Sequence, residues 1–382
     1  MTDTHVAATP PARRGFLVGA AAAAAGTAVL AMPNVSRAQT VTLRFQSTWP
    51  QRDIFHEFAG DFVTRVNAMA GGRLRLDLLA AGAVVGAFQL LDAVSAGTLD
   101  GGHGVPAYWF GKNKAFSLFG TSPPWFGDAN QLLGWYHYGG GEALYRELLG
   151  DIVRVNCVSF MTGPMPTQPL GWFKTPIERV EQIRGLKYRT VGLAADLFNE
   201  MGAAVTSLPG GEIVPALERG VIDGAEFNNP SSDRLLGFPD VAKNYMIQSY
   251  HQRTESFEIL FNKPKYDALP AELQAVLKYA SESASSDMSW KLQDRYSRDL
   301  LAMAQTQGVN VRVTPRPILD AQLQAWDRVI ARLEGDNSSP AAGPFFKKVC
   351  DSQREWCRRV ASFFLRYEAS SVVSFNHFFA RG

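Results

Sequence analysis

The chain has 382 residues, of which 46% are hydrophobic and 19% are charged, with 38 Lys and Arg against 36 Asp and Glu. This composition excludes an intrinsically disordered chain and predicts one large or two ordinary globular domains. A formal net charge of +2 without a long basic run gives no reason to expect nucleic acid or an anionic membrane as a partner.

Residues 1–38 have the features of an export signal. Arg13 and Arg14 precede an uncharged run rich in Ala and Gly, and residues 36–38 (Ser-Arg-Ala) form a small-residue cleavage site. A twin arginine before a mildly apolar segment is typical of a Tat signal, which exports folded proteins. The alternative is a membrane anchor, although a weakly apolar run of about 18 residues barely reaches spanning length. We expect a cleaved signal and a periplasmic mature protein that begins at Gln39.

The next part of the chain predicts an alternation of strands and helices. Residues 42–49 alternate in hydrophobicity as a strand does, and residues 53–69 carry apolar side chains at helical spacing. A second strand over 73–79, a second helix over 86–96 and a short third strand after Asp100 complete a β-α-β-α-β series.

A second series of the same order begins near Gly185. It is predicted to contain strands over 186–191, 204–208 and 221–227, with helices over 193–201 and 211–219. In each series a glycine ends the second helix, Gly97 in the first and Gly220 in the second, and an Asp-Gly pair follows after two residues. The repetition predicts two related α/β lobes with a cleft between them.

Later segments return the chain to each lobe. Strand-like runs at 245–250, 257–261 and 309–313 alternate with long helical patterns at 270–301, 318–333 and 345–379. We therefore predict a signal at 1–38, lobe I at 39–164 with 251–300 returning to it, lobe II at 165–250 with part of 301–335, and a C-terminal helical extension at 336–382. More than one strand crosses between the lobes, which indicates a hinge.

Motifs of common enzyme classes are absent from the sequence. It contains no Gly-x-Ser-x-Gly, His-Glu-x-x-His, Cys-x-x-Cys or P-loop pattern. Residues 102–107 match a Gly-x-Gly-x-x-Ala dinucleotide pattern only loosely, because they follow the third strand of their series and include Pro106. His103 aligns with Glu226 of the second series and is a candidate for the cleft, but a structural histidine is the stronger interpretation.

Three polar side chains are predicted to meet at the cleft. Arg189 ends a predicted strand, and its planar guanidinium can hold a carboxylate by two parallel hydrogen bonds. Glu226 ends the third strand of the same lobe, and Gln168 lies where the chain enters that lobe. A carboxylate, an amide oxygen and a main-chain carbonyl are hard ligands that suit Na⁺ or Ca²⁺ better than Zn²⁺. An ordinary ion pair between Arg189 and Glu226 is an equally open alternative.

These features together resemble the extracytoplasmic solute receptors of TRAP (tripartite ATP-independent periplasmic) transporters. The resemblance is carried by the export signal, the order of the lobes, the Lys-x-Arg strand ending at Arg189 and residues 223–230 (Asp-Gly-Ala-Glu-Phe-Asn-Asn-Pro). Residues 108–113 and 168–173 point to the branch that binds 2-oxo acids or lactate with a metal ion. The resemblance implies an α/β, two-lobed periplasmic binding protein fold of type II-like topology, with hinge strands and long C-terminal helices. It also implies a receptor rather than an enzyme, which delivers a small organic acid to TRAP membrane subunits.

The resemblance further implies roles for individual residues. Arg189 matches the carboxylate-binding arginine of the family, and Tyr108 matches an aromatic hydroxyl that reaches the ligand from the first lobe. Gln168, Glu226 and the carbonyl of Phe227 match the metal ligands, Na⁺ or Ca²⁺ being the expected cation. Gln168 and Phe227 are expected to contact the acid as well, Phe227 as a wall of its pocket.

Some features leave the ligand and the assembly open. Asn228 and Asn229 differ from the smaller residues expected there, so the acid is not identified, and Asn229 joins the predicted ligand contacts. The C-terminal helical stretch resembles the segment through which some members of this branch form homodimers. The alternative functions are a binding receptor for a different ligand without a metal and a Tat-exported periplasmic enzyme.

Overall fold

The computed structural model describes residues 40–380, so the predicted export signal at 1–38 lies outside the described residues. The strands within this range are β1 (Val41–Ser47), β2 (Leu74–Leu79), β3 (Gly101–Gly104), β4 (Cys157–Met165), β5 (Gly171–Phe173), β6 (Lys187–Arg189), β7 (Ala204–Thr206), β8 (Gly224–Ala225), β9 (Asn244–Met246), β10 (Glu255–Asn262) and β11 (Asn310–Arg312). The α-helices are α1 (Ile54–Met69), α2 (Leu90–Ser95), α3 (Phe116–Gly120), α4 (Ala129–Tyr138), α5 (Gly141–Glu147), α6 (Leu193–Glu200), α7 (Gly210–Glu218), α8 (Pro230–Leu236), α9 (Phe238–Val241), α10 (Lys263–Asp267), α11 (Ala271–Thr306), α12 (Arg316–Glu334), α13 (Gly343–Phe363) and α14 (Ala369–Phe379).

The strands form two sheets that have the same central arrangement. The first sheet has the order β2-β1-β3-β10-β4, and the second has the order β11-β9-β5-β8-β6-β7. In the first sheet β1 pairs in parallel with β2 and β3, and in the second β6 pairs in parallel with β7 and β8. The opening strand of each predicted series therefore lies between the other two. This shared topology confirms the predicted two-lobed α/β fold class.

Two extended hinge segments connect the sheets. Residues 166–170 lead from β4 to β5, and residues 247–254 lead from β9 back to β10. The hinge segments are bonded to each other, because the backbone N–H of Gln168 donates to the carbonyl of Gln252 at 3.1 Å. The Thr167 hydroxyl adds a second bond, to the carbonyl of Arg253 at 3.0 Å. The exact lobe boundaries stay a prediction.

Local sequence explains why the helices start and stop where they do. Asp53 caps α1 by accepting a hydrogen bond from the Phe55 N–H at 3.0 Å, and the apolar face of the helix is buried. Gly97 and Gly220 follow the second helix of each series with φ values of 78° and 70°, a backbone conformation that glycine adopts without steric cost. The two predicted helix-ending glycines are thereby confirmed.

Some elements differ from the predictions for local reasons. The predicted strand over 221–227 is reduced to β8, because the Val221 N–H donates back to the Ala216 carbonyl at 3.0 Å to close α7. The helical pattern at 345–379 is divided by a π-helical turn at Phe364–Glu368 between α13 and α14. Among residues 40–380, no helix combines the length and the apolar composition that crossing a membrane requires.

Candidate ligand-binding site

Arg189 lies at the end of β6 and is held by backbone and side-chain acceptors. Its Nε and Nη2 donate to the Leu208 carbonyl at 2.9 and 2.7 Å, and its Nη1 donates to the Glu226 carbonyl and to Glu226 Oε1, both at 3.0 Å. The side chain is only 1% exposed. A guanidinium carries five N–H donors, so these four bonds leave one Nη2–H for a further acceptor.

Glu226 forms the ion pair with Arg189 that the sequence left open. It follows β8, and its side chain is fully buried. Burial raises the pKa of Glu226, and Arg189 opposes this rise. The Thr190 hydroxyl and the Val191 backbone also favour the charged carboxylate, yet Glu226 Oε2 has no hydrogen bond of ordinary geometry within the described residues. The pair with Arg189 therefore engages only Oε1 of the carboxylate.

Gln168 lies on the first hinge segment with its amide fixed at one end. Its Nε2 donates to Glu255 Oε2 at 2.6 Å and is 3.3 Å from Asn228 Oδ1, while its Oε1 is buried without a partner in the described structure. Such buried atoms without a partner among the described residues occur elsewhere too, and those of Thr48, Asp53, Thr190, Asn228 and Gln252 are examples. Unpaired buried polar atoms are costly, so this group needs an explanation such as a bound ligand or ion.

Aromatic rings border the Arg189 side chain. The ring centre of Phe227 lies 5.5 Å from Arg189 Cζ, within the range of a cation–π contact. Tyr108 contributes from the first lobe, where its ring packs 4.9 Å from that of Phe88 and 5.7 Å from that of Trp49. Burial raises the pKa of Tyr108, with Arg189 opposing this rise, so the phenol is neutral and close enough to Arg189 to sense its charge.

Asn229 has a structural role in this arrangement. Its Oδ1 accepts hydrogen bonds from the backbone N–H groups of Ser231 and Ser232 at 3.0 and 2.9 Å and so caps α8. The described structure places its Nδ2 3.9 Å from the Met165 sulfur. The predicted contact of Asn229 with the ligand stays a prediction.

Two buried carboxylates near the site were missed from the sequence. Burial raises the pKa of Glu255 to about 8 and that of Asp53 to about 7. Asp53 caps α1 in the first lobe, and its Oδ1 accepts from the Ser232 hydroxyl of the second lobe at 2.8 Å. Asp53 carried a signal, since it is the first residue of the helical pattern predicted at 53–69, whereas Glu255 carried only its position beside an apolar strand.

His103 has the structural role that its sequence context favoured. Its Nδ1 accepts a hydrogen bond from Trp49 Nε1 at 2.8 Å, and its ring stacks on Phe257 with centroids 5.8 Å apart. Burial lowers the pKa of His103 to about 3, so the ring stays neutral at physiological pH.

The donor set around Glu226 fits a hard cation. Among residues 40–380, Gln168 Oε1 and Glu226 Oε2 are buried oxygens without a hydrogen bond of ordinary geometry, and oxygen donors of this kind suit Na⁺ or Ca²⁺. No group of three or more His, Cys, Asp or Glu residues within 40–380 is arranged to hold a metal. A cation here would therefore depend on amide and carbonyl oxygens, such as the carbonyl of Phe227, in addition to the carboxylate.

Comparisons with known proteins place this arrangement in a family. Residues 45–336 match the family described as "Bacterial extracellular solute-binding protein, family 7". The chain is 35% identical over 282 residues to the monocarboxylate 2-oxoacid-binding periplasmic protein of Nostoc sp. (strain PCC 7120), which covers 72% of this chain and 76% of that relative.

Solved structures of TRAP solute-binding proteins have the same fold. The protein of Bordetella bronchiseptica RB50, a mixed-occupancy dimer with calcium and picolinate, has a TM-score of 0.84 and 27% identity, covering 90% of this chain and 99% of its own. That of Pseudoalteromonas atlantica T6c, with sodium and pyruvate, has a TM-score of 0.81 and 29% identity over 88% of this chain and 100% of its own. That of Colwellia psychrerythraea, with calcium and pyruvate, has a TM-score of 0.80 and 27% identity over the same shares. The chain therefore belongs to bacterial extracellular solute-binding protein family 7 and is a solute receptor of the TRAP type, not an enzyme.

Proposed function

We propose that this receptor binds a small 2-oxo or 2-hydroxy monocarboxylate, such as pyruvate or lactate, together with Na⁺ or Ca²⁺ between its lobes. The observation that carries the proposal is the buried Oε2 of Glu226, which has no hydrogen bond of ordinary geometry within the described residues, on the carboxylate that pairs with Arg189. The buried Oε1 of Gln168, likewise without a partner there, supports it. Related proteins that contain pyruvate with calcium or with sodium support it. The acid would be delivered from the periplasm to TRAP membrane subunits.

Each residue of the site has a distinct part in this proposal. Arg189 offers its remaining Nη2–H to the carboxylate of the acid, and Tyr108 offers its hydroxyl from the opposite lobe. Gln168, Glu226 and the Phe227 carbonyl are the proposed metal ligands. When bound, the cation supplies positive charge and coordination positions for oxygens of the acid. Burial between the lobes strengthens these electrostatic contacts by excluding water.

Export and assembly complete the proposal. Residues 1–38 act as a Tat signal, residues 39–164 and 165–250 form the main parts of the two lobes, and the extension at 336–382 mediates a homodimer. Support for the dimer comes from the large apolar side chains that residues 363–379 expose. They are Phe363, Leu365, Tyr367, Val372, Val373, Phe375, Phe378 and Phe379.

A thermal-shift titration of the mature chain tests the proposed ligand. Pyruvate at about 100 times its Kd should raise the free energy of unfolding by about 2.7 kcal/mol in the presence of calcium or sodium. Acetate is the matched control, because it has the carboxylate but no 2-oxygen. The stabilisation should weaken after removal of the cation and disappear in Arg189→Ala. A mature chain that responds to no monocarboxylate would contradict the proposal.

A metal-free receptor for another ligand is the second candidate. It is favoured by the four hydrogen bonds that Arg189 already makes, which suit a purely structural pair with Glu226. This candidate predicts that stabilising ligands act equally well with and without the cation. The same titration, repeated in chelator and in sodium-free buffer, distinguishes the two candidates.

A further inference from the structure

The amide of Gln168 is held in one orientation by the hinge segment that returns to the first lobe. Nε2 has two N–H donors, and the acceptors near them are Glu255 Oε2 at 2.6 Å and Asn228 Oδ1 at 3.3 Å. Exchanging the oxygen and nitrogen of the amide would place its oxygen against the Asn228 Oδ1 acceptor and would leave both Asn228 Oδ1 and Glu255 Oε2 without this donor. Oε1 is therefore directed away from Glu255.

The backbone of Gln168 is fixed by the same neighbouring segment. Its N–H donates to the carbonyl of Gln252, three residues before Glu255. Glu255 is the first residue of β10 and pairs with Met165, the last residue of β4, where the register between the two strands shifts. Gln168 thus lies on the first hinge segment and Glu255 directly follows the second, where both segments meet the first sheet.

The hydrogen bond between Gln168 and Glu255 is buried. Gln168 is 1% exposed and Glu255 is 3% exposed, so water has little access to replace the hydrogen bond between them. A buried carboxylate that accepts only one strong hydrogen bond costs free energy, and a fold retains such a group when it orders something else. Glu255 orders the Gln168 amide, whose other end, Oε1, has no partner in the described structure.

We infer that Glu255 is a positioning residue that holds Gln168 Oε1 toward the bound cation. This inference rests on the proposed function, because it assigns a role relative to the cation of the same site. Glu255 acts through the Gln168 amide and is not itself assigned as a ligand.

Calorimetric titration of the mature protein with calcium chloride, alone and then with pyruvate, tests the inference. Glu255→Leu removes the acceptor and should weaken calcium binding by about 10- to 100-fold, the usual effect of removing a group that orients a ligand. Glu255→Gln can still accept from Gln168 Nε2, and it should restore most of that loss. Equal losses in the Leu and Gln variants would overturn the positioning role, because charge alone would then account for the effect.

Glu258 provides the matched control on the same strand. It is also a buried glutamate of β10, but it accepts hydrogen bonds from Trp109, Tyr145 and Ser159. Glu258→Gln should lower the thermal stability while calcium affinity stays within about threefold of wild type. Similar losses of calcium affinity in Glu258→Gln and Glu255→Leu would overturn the inference, since general damage would explain both.

The outcomes separate this inference from the function on which it rests. If the wild-type protein binds neither calcium nor sodium, with or without an acid, both the proposed function and the inference are overturned. If the wild-type protein binds calcium and Glu255→Leu binds it equally tightly, only the inference is overturned. A further test needs no cation. The NMR chemical shift of the Gln168 side-chain amide should change in Glu255→Leu and should be unchanged in Glu258→Gln.

Discussion

At the scale of single residues, the site depends on how tightly its side chains approach one another. The ring of Phe227 lies against Gly210 at the start of α7, and a Cβ on that glycine would overlap the ring. The same ring lies 5.5 Å from the Arg189 guanidinium. Gly210 is therefore required by close packing and not by its backbone angles.

Gly210→Ala should lower the free energy of unfolding by about 1–3 kcal/mol, the usual cost of overpacking a filled interior. It should also weaken binding of the acid about tenfold, because the Phe227 ring must move relative to Arg189. Gly211→Ala is the matched control, since its Cβ would meet only Pro50 Cγ at an ordinary 3.7 Å. Chemical denaturation and ligand titration of both variants check this, and indistinguishable behaviour would contradict it.

The residues that sequence could and could not identify differ in how they are encoded. Arg189 and Glu226 were identifiable because each ends a strand of one β-α-β-α-β series, and strand ends meet at one edge. The hydrogen bond between Gln168 and Glu255 joins residues 87 positions apart, one on the first hinge segment and the other at the start of β10. No local pattern encodes such a distant contact, so it became visible only in the folded chain.

At the scale of elements, hydrophobic periodicity predicted the regular helices and missed a strand that has an irregular sequence. The helices α1, α6 and α12 begin and end within two residues of their predicted bounds, because each carries a sustained apolar face. The strand β4 was not assigned, because Gly163 and Pro164 interrupt it. An edge strand of a sheet tolerates such residues, since one side of its backbone has no strand to bond.

The helix α14 presents an apolar face that should decide the oligomeric state. The mature chain is expected to be a dimer in solution, and Phe375→Glu with Phe379→Glu should make it monomeric by placing charge on that face. Ser374→Glu, on the same exposed helix, is the control and should leave the dimer intact. Light scattering coupled to size-exclusion chromatography checks this, and an unchanged mass in the double variant would rule out this interface.

At the scale of the whole molecule, buried ionisable groups make stability depend on pH in opposite directions. Burial raises the pKa values of Asp53 and Asp233 to about 7. The stability that their neutral forms provide is complete below the unfolded pKa near 3.8 and is lost as pH rises through 7. Burial lowers the pKa values of His103 and His251 to about 3. The stability that their neutral forms give the folded protein is therefore present above pH 6.5 and is lost as pH falls toward 3.

Between pH 6.5 and 8 the carboxyl groups dominate, because the histidines are neutral in the folded chain and at most half protonated in the unfolded chain. The free energy of unfolding of the mature protein without ligand should fall as pH rises through this range. Asp233→Asn keeps an acceptor for the Trp172 N–H, which now donates to Asp233 Oδ2 at 2.8 Å, and should make the fall less steep. Denaturation curves across the range check this, and an equal slope in the variant would contradict it.

The bonds between the two hinge segments have a mechanical consequence for the whole receptor. Two chain crossings that are tied to each other by Gln168 and Thr167 can bend together, but they resist sliding and twisting of one lobe against the other. A third connection, through α11, joins β10 of the first sheet to β11 of the second. Bending at the hinge segments would leave the hydrogen-bonded pair Gln168 and Glu255 together, whereas it would change the separation of Tyr108 and Arg189, which lie on opposite lobes. The site thus combines a part held at the hinge with a part that depends on how the lobes close.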